Sequence, residues 1–137
     1  MREPPPELLL RVCDSLRAGP ALRRAVLFGS QAKGTAKSRS DFDIGIIPVE
    51  NLSMHEELSL ASLVSGVLES EVDLVRLDED NPLLGREVAR TGICLLEDKP
   101  GAFAAYRATA MSCWLDFEET VAPHRENFLR RLSEKRP

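Results

Sequence analysis

The chain is poor in the residues that staple small domains, ligate zinc or grip nucleic acids. Three cysteines, Cys13, Cys94 and Cys113, are spread over its 137 residues without a Cys-x-x-Cys spacing. That excludes a disulfide framework or a cysteine zinc site and leaves each as a small apolar residue in a reducing, cytoplasmic setting. Histidine occurs only twice, as His55 and His124, and both are expected to be exposed and non-catalytic. No apolar run approaches the roughly 20 residues of a membrane-spanning helix. The opening Arg2, Glu3 and Pro4–Pro6 do not read as a signal peptide. Positive charge is also short: the net charge is −4 and the pI about 5.3. Gripping duplex nucleic acid requires clustered basic residues to neutralise phosphate, so that class of function is not expected. The basic tail Arg130, Arg131, Lys135 and Arg136 is diluted by Glu126 and Glu134 and reads as a solvated helix end.

What is present is a soluble globular composition, 43% apolar and 29% charged, at a length that suits one domain over residues 1–137. Leu9, Val12, Cys13 and Leu16 share a helical face, which predicts a helix over 6–18 with Pro6 in its first turn and Gly19-Pro20 as its stop. Strands are predicted at 25–28, 41–47, 71–77 and 93–96. A short helical piece is expected from Ser30. Ser53 followed by Glu56 is a capping-box signature that opens a helix to about Glu69, with Leu58, Ala61, Val64 and Leu68 inward. Asn81-Pro82 starts another helix, ended by Gly92. From Gly101 the apolar set Phe103, Tyr106, Ala110, Trp114, Phe117 and Val121 has helical spacing, and Phe128 and Leu132 resume it beyond Pro123. Strands and helices in this alternation predict an α/β (α+β) sheet with helices packed on it.

The chemistry is concentrated in VLFGSQAKGTAKSRSDFDIGII. A Gly-Ser pair at a strand end, Gly29 and Ser30, can wrap a phosphate with backbone N–H groups. Asp41 and Asp43, at i and i+2 in an extended segment, point to one face. Nothing in the neighbouring sequence offers two cations to neutralise that face, and a divalent metal would resolve the conflict. Aspartate is disfavoured inside an apolar strand, and a local rule broken within a well-patterned segment tends to mark function. Asp73, in Val72-Asp73-Leu74-Val75, breaks it a second time. If its strand lies beside that of Asp41 and Asp43, the three carboxylates converge. Arg24 and Arg76 are further candidates for phosphate contact that the sequence alone does not decide between. Ser30 has no histidine partner in its local pattern, which argues against a hydrolase nucleophile.

With Gly-Ser, a spacer and Asp-x-Asp, the chain resembles the minimal nucleotidyltransferases of the DNA polymerase β superfamily, and most of all the MNT-type antitoxins paired with HEPN-domain toxins. The similarity extends to Gly34 closing the loop, EVDLVRL, the Asn-Pro-Leu-Leu segment with TGICLLE, and a long C-terminal helix containing Asp116-Phe117. It implies a polymerase β-like fold: a small mixed sheet with helices on it, a catalytic core over 1–100 and a helical extension over 101–137. It implies ATP as substrate, two Mg²⁺ ions, Asp41, Asp43 and Asp73 as metal-holding catalytic residues, and Gly29, Ser30, Lys33 and Gly34 around the nucleotide. Where the family often carries two arginines after Gly-Ser, this chain has Gln31 and Lys33, so Lys33 supplies the positive charge there. The activity implied is transfer of AMP to a hydroxyl, a tyrosine, of a HEPN-domain RNase toxin, neutralising it. Phe128 and Leu132 of the last helix are the expected docking end for that partner. Two other readings stand beside it: an aminoglycoside-type drug-modifying nucleotidyltransferase, and a catalytically inert antitoxin that acts by binding alone.

Overall fold

Each helix of the chain begins where a residue can satisfy or dispense with the free backbone N–H groups of a first turn. In the computed structural model, which describes residues 4–29, 32, 41–78, 81–121, 127, 130 and 131, α1 (Pro6–Ala18) starts on a proline and buries Val12, Cys13 and Leu16. Helix α2 (Met54–Leu68) has the full capping box: Ser53 Oγ accepts from the Glu56 N–H at 3.1 Å, and Glu56 Oε1 accepts from the Ser53 N–H at 3.0 Å. Helix α3 (Pro82–Thr91) is capped by Asn81, whose Oδ1 accepts from the Leu84 N–H at 3.1 Å. Helix α4 (Ala102–Val121) follows the turn at Gly101. Of the expected helical piece from Ser30 only Ala32 is described, and of the expected continuation only Asn127, Arg130 and Arg131, all helical; Ser30, Phe128 and Leu132 lie outside the described residues.

The four strands are β1 (Leu22–Phe28), β2 (Phe42–Pro48), β3 (Val72–Arg76) and β4 (Ile93–Glu97), in the order β3-β2-β1-β4. Strand β1 is antiparallel to both neighbours, while β2 and β3 are parallel with α2 as the crossover between them. The sheet is therefore mixed, as the family resemblance implies, with helices packed on it, as the element order predicts. Strand β1 begins three residues earlier than the apolar run suggests, because Leu22 pairs with Pro48 and Arg24 with Ile47 and Glu97. Pairing with strands on both sides outweighs the polar character of Arg23 and Arg24.

Alternation along the strands splits the core in two. Ala25, Leu27, Ile44 and Ile46 face α1 and α2 and pack with Val12, Leu16, Leu60 and Val64. Val26 and Phe28 face α3 and α4, where they meet Val88 and Leu77, with Phe103 and Tyr106 against them. Leu77 lies directly over Gly45, where a Cβ would come within 2.5 Å of its Cδ2. One expectation is corrected: Leu58, expected inward, is 64% exposed. The buried face of α2 is Leu60, Val64 and Leu68, and Leu58 sits two residues, about 200°, from Leu60. Ala110 is buried on α4, and Trp114 and Phe117 are half-buried, 5.6 Å apart, with the Arg86 guanidinium 4.9 Å from the Trp114 ring.

Candidate active site

The site forms where β1 ends and β2 and β3 begin. Phe28 pairs with Asp43, and Asp43 is the register partner of Asp73 on the parallel neighbour. Parallel in-register residues point to the same face of a sheet, with strands ~4.8 Å apart. Asp43 and Asp73 thus stand side by side on the face that carries α3 and α4. Asp41 lies two residues before Asp43, immediately outside β2, and is exposed. Strand β3 is an edge strand, so Asp73 is open to solvent.

Like charges directly opposite one another destabilise a sheet, and the electrostatics record the conflict. Burial pushes the half-buried Asp43 carboxyl above its ordinary range, and the carboxylates of Asp73, Asp41 and Glu87 push it further the same way. Among the described residues no salt bridge reaches Asp41, Asp43 or Asp73. Nor do three His, Cys, Asp or Glu side chains among them stand together as a ready metal cluster. What the described residues form is an open, hard-oxygen face whose negative charge none of them balances. Its donor chemistry fits Mg²⁺, which takes a few carboxylates and completes its shell with water and phosphate oxygens.

Gly29 closes the site on the β1 side. Its φ is +79°, and a Cβ there would fall 2.5 Å from Asp43 Oδ2. The backbone angle favours glycine, and any Cβ there would have to push the Asp43 carboxylate aside. The Gly29 N–H donates to Thr91 Oγ1 at 2.9 Å, and the Thr91 hydroxyl donates in turn to the Glu87 carbonyl at 2.8 Å. Sequence reasoning passed over both Thr91 and Glu87. They sit in the last turn of an amphipathic helix, and nothing local ties them to a glycine about sixty positions earlier.

The two candidate arginines are elsewhere. Arg76 shares its strand parity with Leu74, which packs with the α1/α2 core, so it projects from the sheet face opposite the carboxylates. There it is held by Asp78 at 2.7 Å, Glu57 at 3.3 Å and Asn51 at 2.9 Å. Arg24 is on the α4 side, 5.7 Å from the Tyr106 ring centroid. It lies four residues before Phe28, about 13 Å along the strand. His55 is exposed on α2, as expected. Ser30, Gln31, Lys33, Gly34 and His124 lie outside the described residues.

Comparison with known proteins extends this geometry. The family model for polymerase β nucleotidyltransferases matches residues 12–100. A protein adenylyltransferase, MntA, of Aphanizomenon flos-aquae is 29% identical over 138 residues, covering 91% of this chain and 90% of that one. A crystal structure of a toxin–antitoxin with AMP-PNP contains a chain that superposes with a TM-score of 0.76 at 24% identity, over 88% of this chain and 98% of the other. A complex of a tri-AMPylated Shewanella oneidensis HEPN toxin with its MNT antitoxin matches with a TM-score of 0.71 at 21% identity, over 90% and 97%. At these identities the solved structures speak for the fold.

Proposed function

The chain belongs to the polymerase β nucleotidyltransferase family, and on that premise we propose that it is the antitoxin of a two-component pair, a protein adenylyltransferase that moves AMP from Mg·ATP to a tyrosine hydroxyl of a HEPN-domain RNase toxin. The observation that carries the reading is the in-register Asp43–Asp73 pair, with Asp41 on the same strand line and Gly29 pressed against Asp43. Its likeness to a curated protein adenylyltransferase across 91% of its length supports the choice of a protein acceptor.

In this reading the acceptor oxygen attacks the α-phosphorus of ATP. The bond from that phosphorus to the bridging oxygen breaks, and pyrophosphate leaves. Asp41, Asp43 and Asp73 would hold Mg²⁺, which when bound supplies the positive charge that stabilises the leaving pyrophosphate. Asp73, exposed on the edge strand, stands on the acceptor side, where a carboxylate takes the hydroxyl proton. Gly29 keeps the turn close to Asp43. Ser30, Lys33 and Gly34 are assigned to the triphosphate, with Lys33 as its cation.

The test is incubation of the purified chain with ATP, Mg²⁺ and a HEPN-domain partner. Label carried on the α-phosphate should appear on the partner, label on the γ-phosphate should not, and the partner's RNase activity should fall in step. Neutralisation of the RNase without α-label would replace transfer with simple covering.

A further inference from the structure

The geometry assigns a positioning role to Thr91. We infer that its hydroxyl holds the Gly29 amide and thereby sets how Gly29 meets the Asp43 carboxylate and how tightly that face takes Mg·ATP. A threonine hydroxyl has one proton to give. Here that proton goes to the Glu87 carbonyl, 2.8 Å away and one helical turn back. The oxygen's lone pairs are left for the Gly29 N–H at 2.9 Å. The donor and acceptor directions are therefore fixed, and the turn at the end of β1 is fastened to the C-terminal turn of α3.

The consequence reaches both halves of the site. Gly29 is buried and in contact range of the Asp43 carboxylate, so a shift of this residue disturbs the metal-holding face as well as the turn. The same bond withdraws the Gly29 N–H from the ligand. That N–H is spent inside the fold and is not offered to a phosphate. The inference deepens the adenylyltransferase reading and rests on it only in that this face takes Mg·ATP.

Valine at position 91 keeps the shape of the side chain and removes the hydroxyl; serine keeps the hydroxyl and removes the methyl. Thr91→Val should speed hydrogen exchange of the Gly29 amide, followed by NMR, and weaken Mg·ATP binding in calorimetry by about tenfold, the scale of one lost hydrogen bond. Thr91→Ser should stay within about twofold of wild type in both, since its hydroxyl makes the same two bonds. A purely structural threonine would lower the melting temperature of the valine variant and leave Mg·ATP affinity alone, and that result overturns the inference. So does a serine variant that loses as much affinity as the valine one. If the valine variant does not fold, Thr91→Ala is read by the same two measurements. A wild-type chain that binds Mg·ATP but labels no partner would sink the transfer reading, while the affinities still decide the role of Thr91. A wild-type chain without affinity for Mg·ATP overturns both.

Discussion

Asp43 is the residue on which the competing forces of this fold meet. It needs the sheet to be held in place, yet burial and three neighbouring carboxylates all disfavour its ionised form. The sign for stability follows. A carboxyl whose folded pKa is raised contributes fully while protonated, below its unfolded value, and that contribution is lost as pH rises through the folded value. Asp43→Asn should therefore melt at a higher temperature than wild type at neutral pH without metal. The gap should close as both are titrated below the ordinary aspartate range, while AMP transfer is lost throughout. Equal melting temperatures at neutral pH would show that the crowding of carboxylates has no cost. Gly29 answers to the same carboxylate from the other side. Its positive φ alone should make Gly29→Ala cost about 1–2 kcal/mol, and contact with Asp43 Oδ2 adds to that. Urea denaturation reads the loss directly.

At the scale of elements, the site is a junction of three strand ends and one helix end. The capping box of α2 lies at the other end of the sheet, beside Asn51 and the Arg76 network. Ser53→Ala removes the acceptor for the Glu56 N–H and should cost about 1 kcal/mol of stability. Because the cap is remote from Asp43 and Asp73, Mg·ATP affinity should be unchanged. A loss of affinity in a variant that still folds would mean that α2 transmits strain to the carboxylates through the β2–α2–β3 crossover. Helix α3 is the opposite case. Its first turn packs Leu84 against the second core and sets Gly85 against Ala110 of α4, and its last turn supplies Thr91 to the site.

For the whole molecule, the proposed metal site would link ligand and fold thermodynamically at the sheet edge. Among the described residues strand β3 pairs with β2 alone, and the in-register Asp43 and Asp73 repel across that pair. Mg²⁺ bound between them would tie the edge strand to the sheet, and anything that binds only the native state stabilises it. At ten times its dissociation constant the gain is about 1.4 kcal/mol, whichever residues hold the ion. The melting temperature should therefore rise with Mg²⁺ in wild type and stay flat in a double Asp41→Asn, Asp43→Asn variant. A rise of equal size in both would move the metal away from these carboxylates.

Local pattern in the chain was enough for most of the elements and for the motif. Capping by Ser53 and Asn81, stops at Gly19 and Gly92, and helical spacing from Phe103 to Val121 are short-range signals, and the helices they predict are present. Gly-Ser and Asp-x-Asp were legible for the same reason, since both lie within one stretch of chain. Four matters required the tertiary structure. The parallel pairing of β2 with β3 makes Asp43 and Asp73 neighbours, and strand parity sends Arg76 to the opposite face. The α3 face that meets the end of β1 brings Thr91 to Gly29. The exposure of Leu58 depends on which α2 stripe, Leu60–Val64–Leu68 or its neighbour, the sheet accepts. Periodicity reports which residues share a face within one element. Which faces then meet is settled by the joint burial of all of them, and that is a property of the assembled core.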